Sequence, residues 1–125
     1  MESPADERFP KRLRICKRSH YLAVQQGGRR VVSRSFLGIV LLRNDNHPAR
    51  LGITTTKKIG CAVVRNRTRR LVREAFRRHI MDVPPGVDLV VIAKKSATQR
   101  SAARIFDDLH NLAYKVSTLV KETQC

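Results

Sequence analysis

The segment from Lys57 to His79 (KKIGCAVVRNRTRRLVREAFRRH) constrains the fold more than any other part of the chain. It holds nine lysine or arginine residues and one acidic residue, Glu74. Apolar residues nevertheless recur in it at intervals of three and four, which is the spacing of one face of a helix. The pattern predicts a helix from about Arg65 or Asn66 to Ile80, with one side on a core and the other facing a polyanion.

The two faces of this helix follow from a rotation of about 100° per residue. Burial of its large apolar side chains would contribute about 1.5–3 kcal/mol each, enough to hold so charged a segment on a core. Like charges three and four residues apart repel, so a row of arginines is favourable mainly where phosphates neutralise it. The apolar side holds Thr68, Leu71, Val72, Ala75, Phe76, His79 and Ile80, and the far side holds Asn66, Arg70, Arg73 and Arg77.

A solvated charged face is the usual interpretation of a basic helix. Here, however, the sign of the charge is nearly uniform, and every strongly basic residue from Arg65 onward in the segment is arginine. The arginine side chain binds phosphate through a planar, bidentate fork that lysine lacks. The residue choice therefore favours nucleic acid as the partner of this face.

The overall charge points in the same direction. With 26 Lys plus Arg against 10 Asp plus Glu, the formal charge is +16 and the pI is about 11.2, a balance typical of nucleic-acid-binding proteins. The longest apolar run, Phe36 to Leu42, is far shorter than the roughly 20 residues of a membrane span, so no membrane role is expected. No signal-peptide pattern follows the charged N-terminus, and we expect a cytoplasmic protein.

Neither a metal site nor a protein active site is indicated. The cysteines (Cys16, Cys61 and Cys125) are odd in number and far apart, and the four histidines are scattered, so no disulfide framework or dedicated metal site is expected. Phosphodiester hydrolysis by a protein needs clustered carboxylates for magnesium or a histidine acid–base pair. The aspartates are instead spread along the chain, at Asp45, Asp82, Asp88, Asp107 and Asp108, so no catalytic residue is assigned.

The rest of the chain predicts a single domain with mixed elements. Residues 1–16 are expected to form a flexible basic arm and residues 17–122 a single RNA-binding α/β sandwich domain. A short helix is predicted over Ser19–Gln26, ended by two glycines. Strands are predicted over Ser35–Leu42 and Arg50–Thr56, and the Asx- and Pro-rich turn between them suggests a hairpin.

Two further elements follow the basic helix. VDLVVIA, residues 87–93, is a near-continuous apolar run, as expected for a central strand covered on both faces. Apolar residues from Ser101 to Lys121 recur at three and four, which predicts a long amphipathic helix.

The run KKIGCAVVRNRTRRLVREAF, preceded by RLGITTT, resembles the signature of the bacterial ribonuclease P protein subunit, whose hallmark is Arg-Asn-Arg, here residues 65–67. KRSHYLAVQQGGRR resembles the family's first helix and turn, and DLVVIAKKSA its last strand, so the likeness covers roughly residues 12–115. Two departures are Cys61, where the family often has Asn or a basic residue, and Thr68, where an aliphatic is usual. Neither removes a phosphate ligand.

The resemblance implies an α+β fold, an αβββαβα two-layer sandwich like that of ribosomal protein domains. It also implies that the basic helix joins two parallel strands by a left-handed βαβ crossover. Sequence physics alone would favour the right-handed connection, which holds in about 98% of cases.

The resemblance also implies a function. The family's protein is the non-catalytic partner of a catalytic RNA that removes the 5′ leader from precursor tRNA, with magnesium expected at the RNA active site and no cofactor or obligate protein partner of its own. A cleft holding the single-stranded leader is expected at Tyr21, Arg34 and Phe36, with a place in the hydrophobic core as the alternative for Phe36. The surface for the RNA subunit is expected to hold Lys57, Lys58, Arg65, Asn66, Arg67, Arg69, Arg70, Arg73 and Arg77.

Three other functions are compatible with a small basic domain. The main alternative is a structural ribosomal protein that binds rRNA, which shares the charge, the domain size and the basic arm. A self-sufficient ribonuclease is the enzyme alternative, distinguished by activity without any RNA subunit. A DNA-binding protein ranks last, because no helix-turn-helix spacing or dimer pattern is present.

Overall fold

Three helices and four strands make up the described part of the chain. The computed structural model describes residues 13–43, 45–79, 83–99 and 101–124. Short 3₁₀ turns at Lys57–Ile59 and Lys95–Gln99 precede the second and third helices. The elements are α1 (Arg18–Gly27), β1 (Arg29–Val32), β2 (Phe36–Leu42), β3 (Arg50–Thr54), α2 (Ala62–His79), β4 (Val87–Ala93) and α3 (Ala102–Gln124).

The strands form one mixed sheet in the order β1-β2-β4-β3. Strand β2 pairs antiparallel with both β1 and β4, whereas β3 and β4 are parallel and are joined through α2. The α+β class and the order αβββαβα are therefore confirmed. The left-handed sense of the β3–α2–β4 crossover stays a prediction.

The predicted hairpin between residues 35–42 and 50–56 is wrong. Strand β4 lies between β2 and β3, with Val87 opposite Leu42 and Asp88 opposite Arg50. The turn residues at 44–48 indicate that the chain bends, but they do not determine which strand becomes the neighbour. Strand β4 is the most apolar strand, and a central position buries both of its faces.

Helices cover both faces of the sheet. Alternate side chains of the strands, including Phe36, Val40, Leu89 and Val91, pack with α2 and α3 in the main core. The intervening side chains, including Ile39 and Val90, pack with Val24 of α1 in a smaller core. Helix α1 thus adds a layer to the two that were expected, and it leaves part of the sheet near β3 uncovered.

The chain before α1 is part of the domain from residue 13 onward. Arg14 forms a parallel bridge with Leu51, and the Ile15 N–H donates to the Leu51 carbonyl at 2.9 Å. Ile15 is buried in the smaller core. The predicted flexible arm of residues 1–16 therefore extends too far at its C-terminal end, and its residues 1–12 lie outside the described part of the chain.

A buried carboxylate joins three segments at the end of the sheet where β4 begins. The side chain of Asp88 is 3% exposed and accepts a bidentate pair from Arg50, at 2.8 and 2.7 Å. Arg43 donates to the same carboxylate at 3.0 Å and also to the carbonyls of His47 and Pro48. The hydrogen bonds that Arg50 donates to Asp88 raise the pKa of Arg50 above its ordinary value. The cluster holds the β2–β3 loop against β4.

Candidate nucleic-acid interface

Helix α2 begins three residues earlier than predicted, directly after a glycine turn. Gly60 has a φ of +153°, and a Cβ atom there would lie 3.0 Å from the Val64 side chain, so glycine fits both the backbone and the space. The Cys61 carbonyl accepts the Arg65 N–H at 3.0 Å. The Arg-Asn-Arg motif, residues 65–67, therefore lies in the first two turns of the helix.

The apolar side of α2 is buried as predicted. Val72, Ala75 and Phe76 are at most 2% exposed and pack in the main core, with α3 as the neighbouring helix. Thr68 is fully buried, and its hydroxyl donates to the Val64 carbonyl at 2.9 Å. This internal hydrogen bond explains how a threonine is accommodated where the family usually has an aliphatic residue. Ile80 and the His79 side chain lie outside the described residues.

Part of the predicted RNA-subunit surface on α2 is exposed to solvent. Asn66, Arg70 and Arg73 are exposed, and Arg65 and Arg67 are half-buried. Lys58, in the turn before the helix, is also exposed, whereas the side chain of Lys57 lies outside the described part of the chain. The exposed part of the predicted RNA-subunit surface therefore begins before the helix and runs along its first three turns.

Two arginines predicted in this surface have protein partners. The Arg69 Nε donates to Thr55 Oγ1 at 2.9 Å and its NH1 lies 3.4 Å from Asn66 Oδ1, so Arg69 links α2 to the end of β3. Arg77 forms an ion pair with Glu74 at 2.6 Å. Helical spacing alone placed Arg77 in a row of repelling charges, but the acidic residue three positions earlier neutralises it.

Glu74 gives a pH-dependent test of this pairing. Hydrogen bonds from Arg77, supplemented by Arg78, hold the pKa of Glu74 below its ordinary value. A depressed pKa in the folded state stabilises the protein above the unfolded-state pKa of about 4.3, and that stabilisation is lost as pH falls through the folded-state pKa. We expect Glu74→Gln to lower the free energy of unfolding by about 0.5 kcal/mol at neutral pH, and by almost nothing in acid.

Urea unfolding at neutral pH and in acid below the folded-state pKa measures the difference. Glu122→Gln, at an exposed position of α3, is the matched control and should show little effect at either pH. A Glu74→Gln deficit that persists unchanged in acid would mean that the ion pair is not its cause.

A groove lies beside α2, between α1 and the β3 edge of the sheet. Its volume is about 290 Å³. The Tyr21 hydroxyl accepts the Ile53 N–H at 3.2 Å, and the Tyr21 ring lies over Gly52, where a Cβ atom would be 2.7 Å away from it. The groove is lined by Arg14, Ile15, Cys16, Tyr21, Leu51, Ile53, Arg69 and Arg73.

Only one of the three residues predicted for a leader cleft lies in this groove. Tyr21 is there, half-buried. Phe36 is wrong for this role, because it is fully buried in the main core, on the α2/α3 face of the sheet. Side chains alternate between the two faces of a strand, so the even-numbered residues of β2, including Phe36, point away from α1. Arg34 lies in the β1–β2 turn, at the opposite edge of the sheet from β3, and does not line the groove.

The groove contains residues that sequence reasoning missed. Arg14 and Cys16 line it because the segment before α1 pairs with β3, a contact between residues far apart in sequence. Arg69 and Arg73 belong to both the groove and α2. The predicted RNA-subunit surface and the predicted leader cleft, expected to be separate, are therefore contiguous.

The groove and the exposed side of α2 carry arginines and suit anion binding, whereas the carboxylates of the sheet lie elsewhere. Across the described residues, no three His, Cys, Asp or Glu side chains come together as a metal site would require. The buried carboxylate of Asp88 and the nearby Asp45 lie with Arg43 where β4 begins, whereas α2 starts beyond the other end of β3. Among the described helices, none is long and apolar enough to cross a membrane.

The fold and this surface define a small α+β domain that presents an arginine-rich helix beside a groove holding an aromatic residue. The family model "Ribonuclease P" matches residues 9–117. The ribonuclease P protein component of Gluconacetobacter diazotrophicus is 45% identical over 103 residues, covering 82% of this chain and 89% of the relative. The chain belongs to the ribonuclease P protein component family.

Solved structures agree with this assignment. The ribonuclease P protein of Staphylococcus aureus is similar with a TM-score of 0.76 and 30% identity, over 82% of this chain and 93% of that one. The Thermotoga maritima protein is similar with a TM-score of 0.74 and 29% identity, over 82% and 96% of the two chains.

Proposed function

We propose that this chain is the non-catalytic subunit of a ribonucleoprotein in which an RNA cleaves precursor tRNA and releases the 5′ leader. Helix α2 binds the catalytic RNA, and the groove beside it binds the single-stranded leader. The proposal rests mainly on the observation that Arg69 and Arg73 belong to α2 and also line the groove. Two RNA strands bound at these two places would meet along one line of arginines.

The charge on α2 supports a phosphate-rich partner. Arg70 and Arg73 are exposed on one side of the helix without a carboxylate partner among the described residues. Their mutual repulsion is relieved when phosphates bind, and the release of condensed counterions adds a salt-dependent driving force. A folded RNA supplies this charge at high density, which favours it over an acidic protein.

The groove has the features that single-stranded RNA requires. An aromatic ring gives a stacking surface that tolerates any base, and flanking arginines contact the backbone. Tyr21 provides the ring, and Arg14, Arg69 and Arg73 line the same groove. The hydrogen bond to Ile53 and the contact with Gly52 fix the ring before RNA binds, which lowers the entropic cost of binding.

The chemical step is assigned to the RNA and to magnesium ions that it holds. The protein surface contributes positive charge and position, and these lower the barrier by orienting the substrate and by stabilising charge. No proton transfer is assigned to a side chain of this chain.

Tyr21→Ala tests the leader groove. We expect it to reduce by about tenfold the preference of the reconstituted complex for leader-bearing precursor over mature tRNA, because stacking contributes about 1–3 kcal/mol per base. Tyr21→Phe keeps the ring and should retain most of the preference. The measurement is the ratio of the two dissociation constants.

Tyr114→Ala is the matched control, since Tyr114 is 69% exposed on α3 and lies away from the groove. It should leave the ratio unchanged. Equal ratios for Tyr21→Ala, Tyr114→Ala and the parent protein would exclude the groove as the leader site.

A further inference from the structure

Three cations from three different elements converge on the β1–β2 turn. The Lys115 ammonium of α3 donates to the Val32 carbonyl at 2.9 Å, and the Lys94 ammonium, just after β4, donates to the Ser33 carbonyl at 3.3 Å. These carbonyls belong to adjacent residues, so both lysines are held on the same turn. Arg34 follows directly in the chain and is exposed, as are both lysines. We call Arg34, Lys94 and Lys115 the turn cluster.

The turn cluster has more positive charge than its surroundings neutralise. In the described part of the chain, the ion pairs involve other arginines, and none joins a carboxylate to Arg34, Lys94 or Lys115. Asp108 contacts the turn through its backbone carbonyl, which accepts the Ser33 hydroxyl, and the residue is 5% exposed. Each lysine uses one of its three ammonium donors on a carbonyl, which leaves donors for an external acceptor.

The backbone under the cluster is held rigidly. The Ser33 N–H donates to the Phe36 carbonyl at 2.9 Å and closes the turn, and the Ser33 hydroxyl ties it to α3 at 3.0 Å. The Lys94 N–H donates to the Ser35 carbonyl at 2.9 Å and ties the turn to the end of β4. Cations on a fixed backbone lose less conformational freedom on binding than cations on a mobile loop.

The turn cluster lies at the end of the sheet where α2 begins. Phe36 lies opposite Ala93, and Thr54 lies opposite Ile92, so the β1–β2 turn and the segment leading into α2 lie at the same end of the sheet. The 3₁₀ turn at Lys95–Gln99 contacts both α2 and the 3₁₀ turn at Lys57–Ile59. Three strand spacings, about 14 Å, separate the β1 and β3 edges. The turn cluster and the start of α2 therefore lie at the same end of the sheet.

We propose that the turn cluster is a third RNA-binding surface, which binds the phosphate backbone of the catalytic RNA beyond the part that contacts α2. This inference rests on the proposed function, because it assigns one more contact to the same partner. The turn cluster lies at the same end of the sheet as the start of α2 but at the edge opposite the leader groove, which favours the catalytic RNA over the leader. It also gives Arg34 a role different from the one that the family resemblance implied.

The test uses the full chain and the purified catalytic RNA. Arg34→Ala combined with Lys115→Ala should weaken binding of the RNA by about tenfold, and it should reduce the magnitude of the log–log salt slope by about 1.5, the loss of two phosphate contacts. The ratio of dissociation constants for precursor and mature tRNA should stay at the parent value. Arg34→Lys with Lys115→Arg keeps the charge and should retain most of the affinity.

Lys121→Ala is the matched control, because Lys121 is exposed on α3 about 9 Å further along the helix. Equal affinities and slopes for the double variant and Lys121→Ala would overturn the turn cluster, as would a loss confined to leader-bearing substrate. Arg67→Ala with Arg70→Ala separates the two proposals. If that pair weakens RNA binding and the turn-cluster pair does not, only the third surface fails, and if neither pair has an effect, the proposed function fails as well.

Discussion

Replacing Arg67 and Arg70 together with alanine is expected to weaken binding of the catalytic RNA by about 100-fold. Both residues lie in the first turns of α2, where Arg70 is exposed and Arg67 is half-buried. A charge-assisted hydrogen bond to phosphate contributes about 1.5–3 kcal/mol, and about 2.8 kcal/mol corresponds to a 100-fold change. The affinity should also become less dependent on salt, because each lost phosphate contact reduces the log–log slope by about 0.7–0.9.

The same charge can be removed elsewhere as a control. Arg104→Ala with Lys121→Ala removes two exposed positive charges from α3 and should lower the affinity only by the loss of general attraction. Replacing Arg67 and Arg70 with lysine keeps the charge and loses the bidentate fork, so an intermediate affinity is expected. An arginine pair on α2 that behaves like the control pair on α3 would contradict a specific RNA surface there.

The second large effect concerns stability. Asp88→Asn is expected to lower the free energy of unfolding by about 3–5 kcal/mol, because it removes one partner of a buried ion pair and leaves two arginines without their carboxylate. This is a large fraction of the 5–15 kcal/mol that stabilises a typical domain. The loss of the bonds between Arg50, Arg43 and Asp88 would also release the β2–β3 loop from β4. Urea unfolding monitored by circular dichroism measures the change.

Asp107→Asn makes the same chemical change at an exposed position of α3 and should alter stability by less than about 0.5 kcal/mol. Because the Asp88 cluster lies where β4 begins, away from the start of α2, the folded fraction of Asp88→Asn should bind RNA with parental affinity. A stability within about 1 kcal/mol of the parent would show that the Asp88 carboxylate is not needed to neutralise the arginines.

The elements with strong local patterns could be predicted from the sequence. Helix α2 carries an apolar stripe at helical spacing, and residues 87–93 form an apolar run with the bounds of β4. The residue pattern did not indicate β1, whose four residues alternate too little and are mostly exposed. The pairing of β2 with β4 depends on long-range burial, and local turn residues favoured the wrong neighbour.

The part of the candidate site that lies on α2 could be predicted, because it depends on a local pattern, whereas the groove depends on long-range contacts. The faces of α2 follow from one angle per residue, so the buried and exposed sides were both anticipated. The groove depends on contacts between the segment before α1, Gly52 on β3 and Arg69 on α2, which are far apart in sequence. Phe36 was assigned to the cleft through the family resemblance, whereas strand alternation places its side chain in the main core, which was the alternative for this residue.

The central strand and the apolar side of α2 form a core that can support a highly charged surface, and the charges are then arranged along α2, the groove and the turn cluster. The arginines with acidic partners, Arg43, Arg50, Arg77 and Arg78, stabilise the fold. The exposed cations Arg70, Arg73 and Lys115 have no ion-pair partner among the described residues and are the ones assigned to RNA.

The most direct test asks whether the protein itself cleaves precursor tRNA. Cleavage is measured with the purified protein alone, with the catalytic RNA alone and with the two together. We expect the protein alone to release no leader and the two together to release it. We also expect Arg67→Ala with Arg70→Ala to raise the protein concentration needed for half-maximal cleavage. Leader release by the protein without any RNA subunit, abolished by replacing one of its aspartates or histidines, would contradict the account.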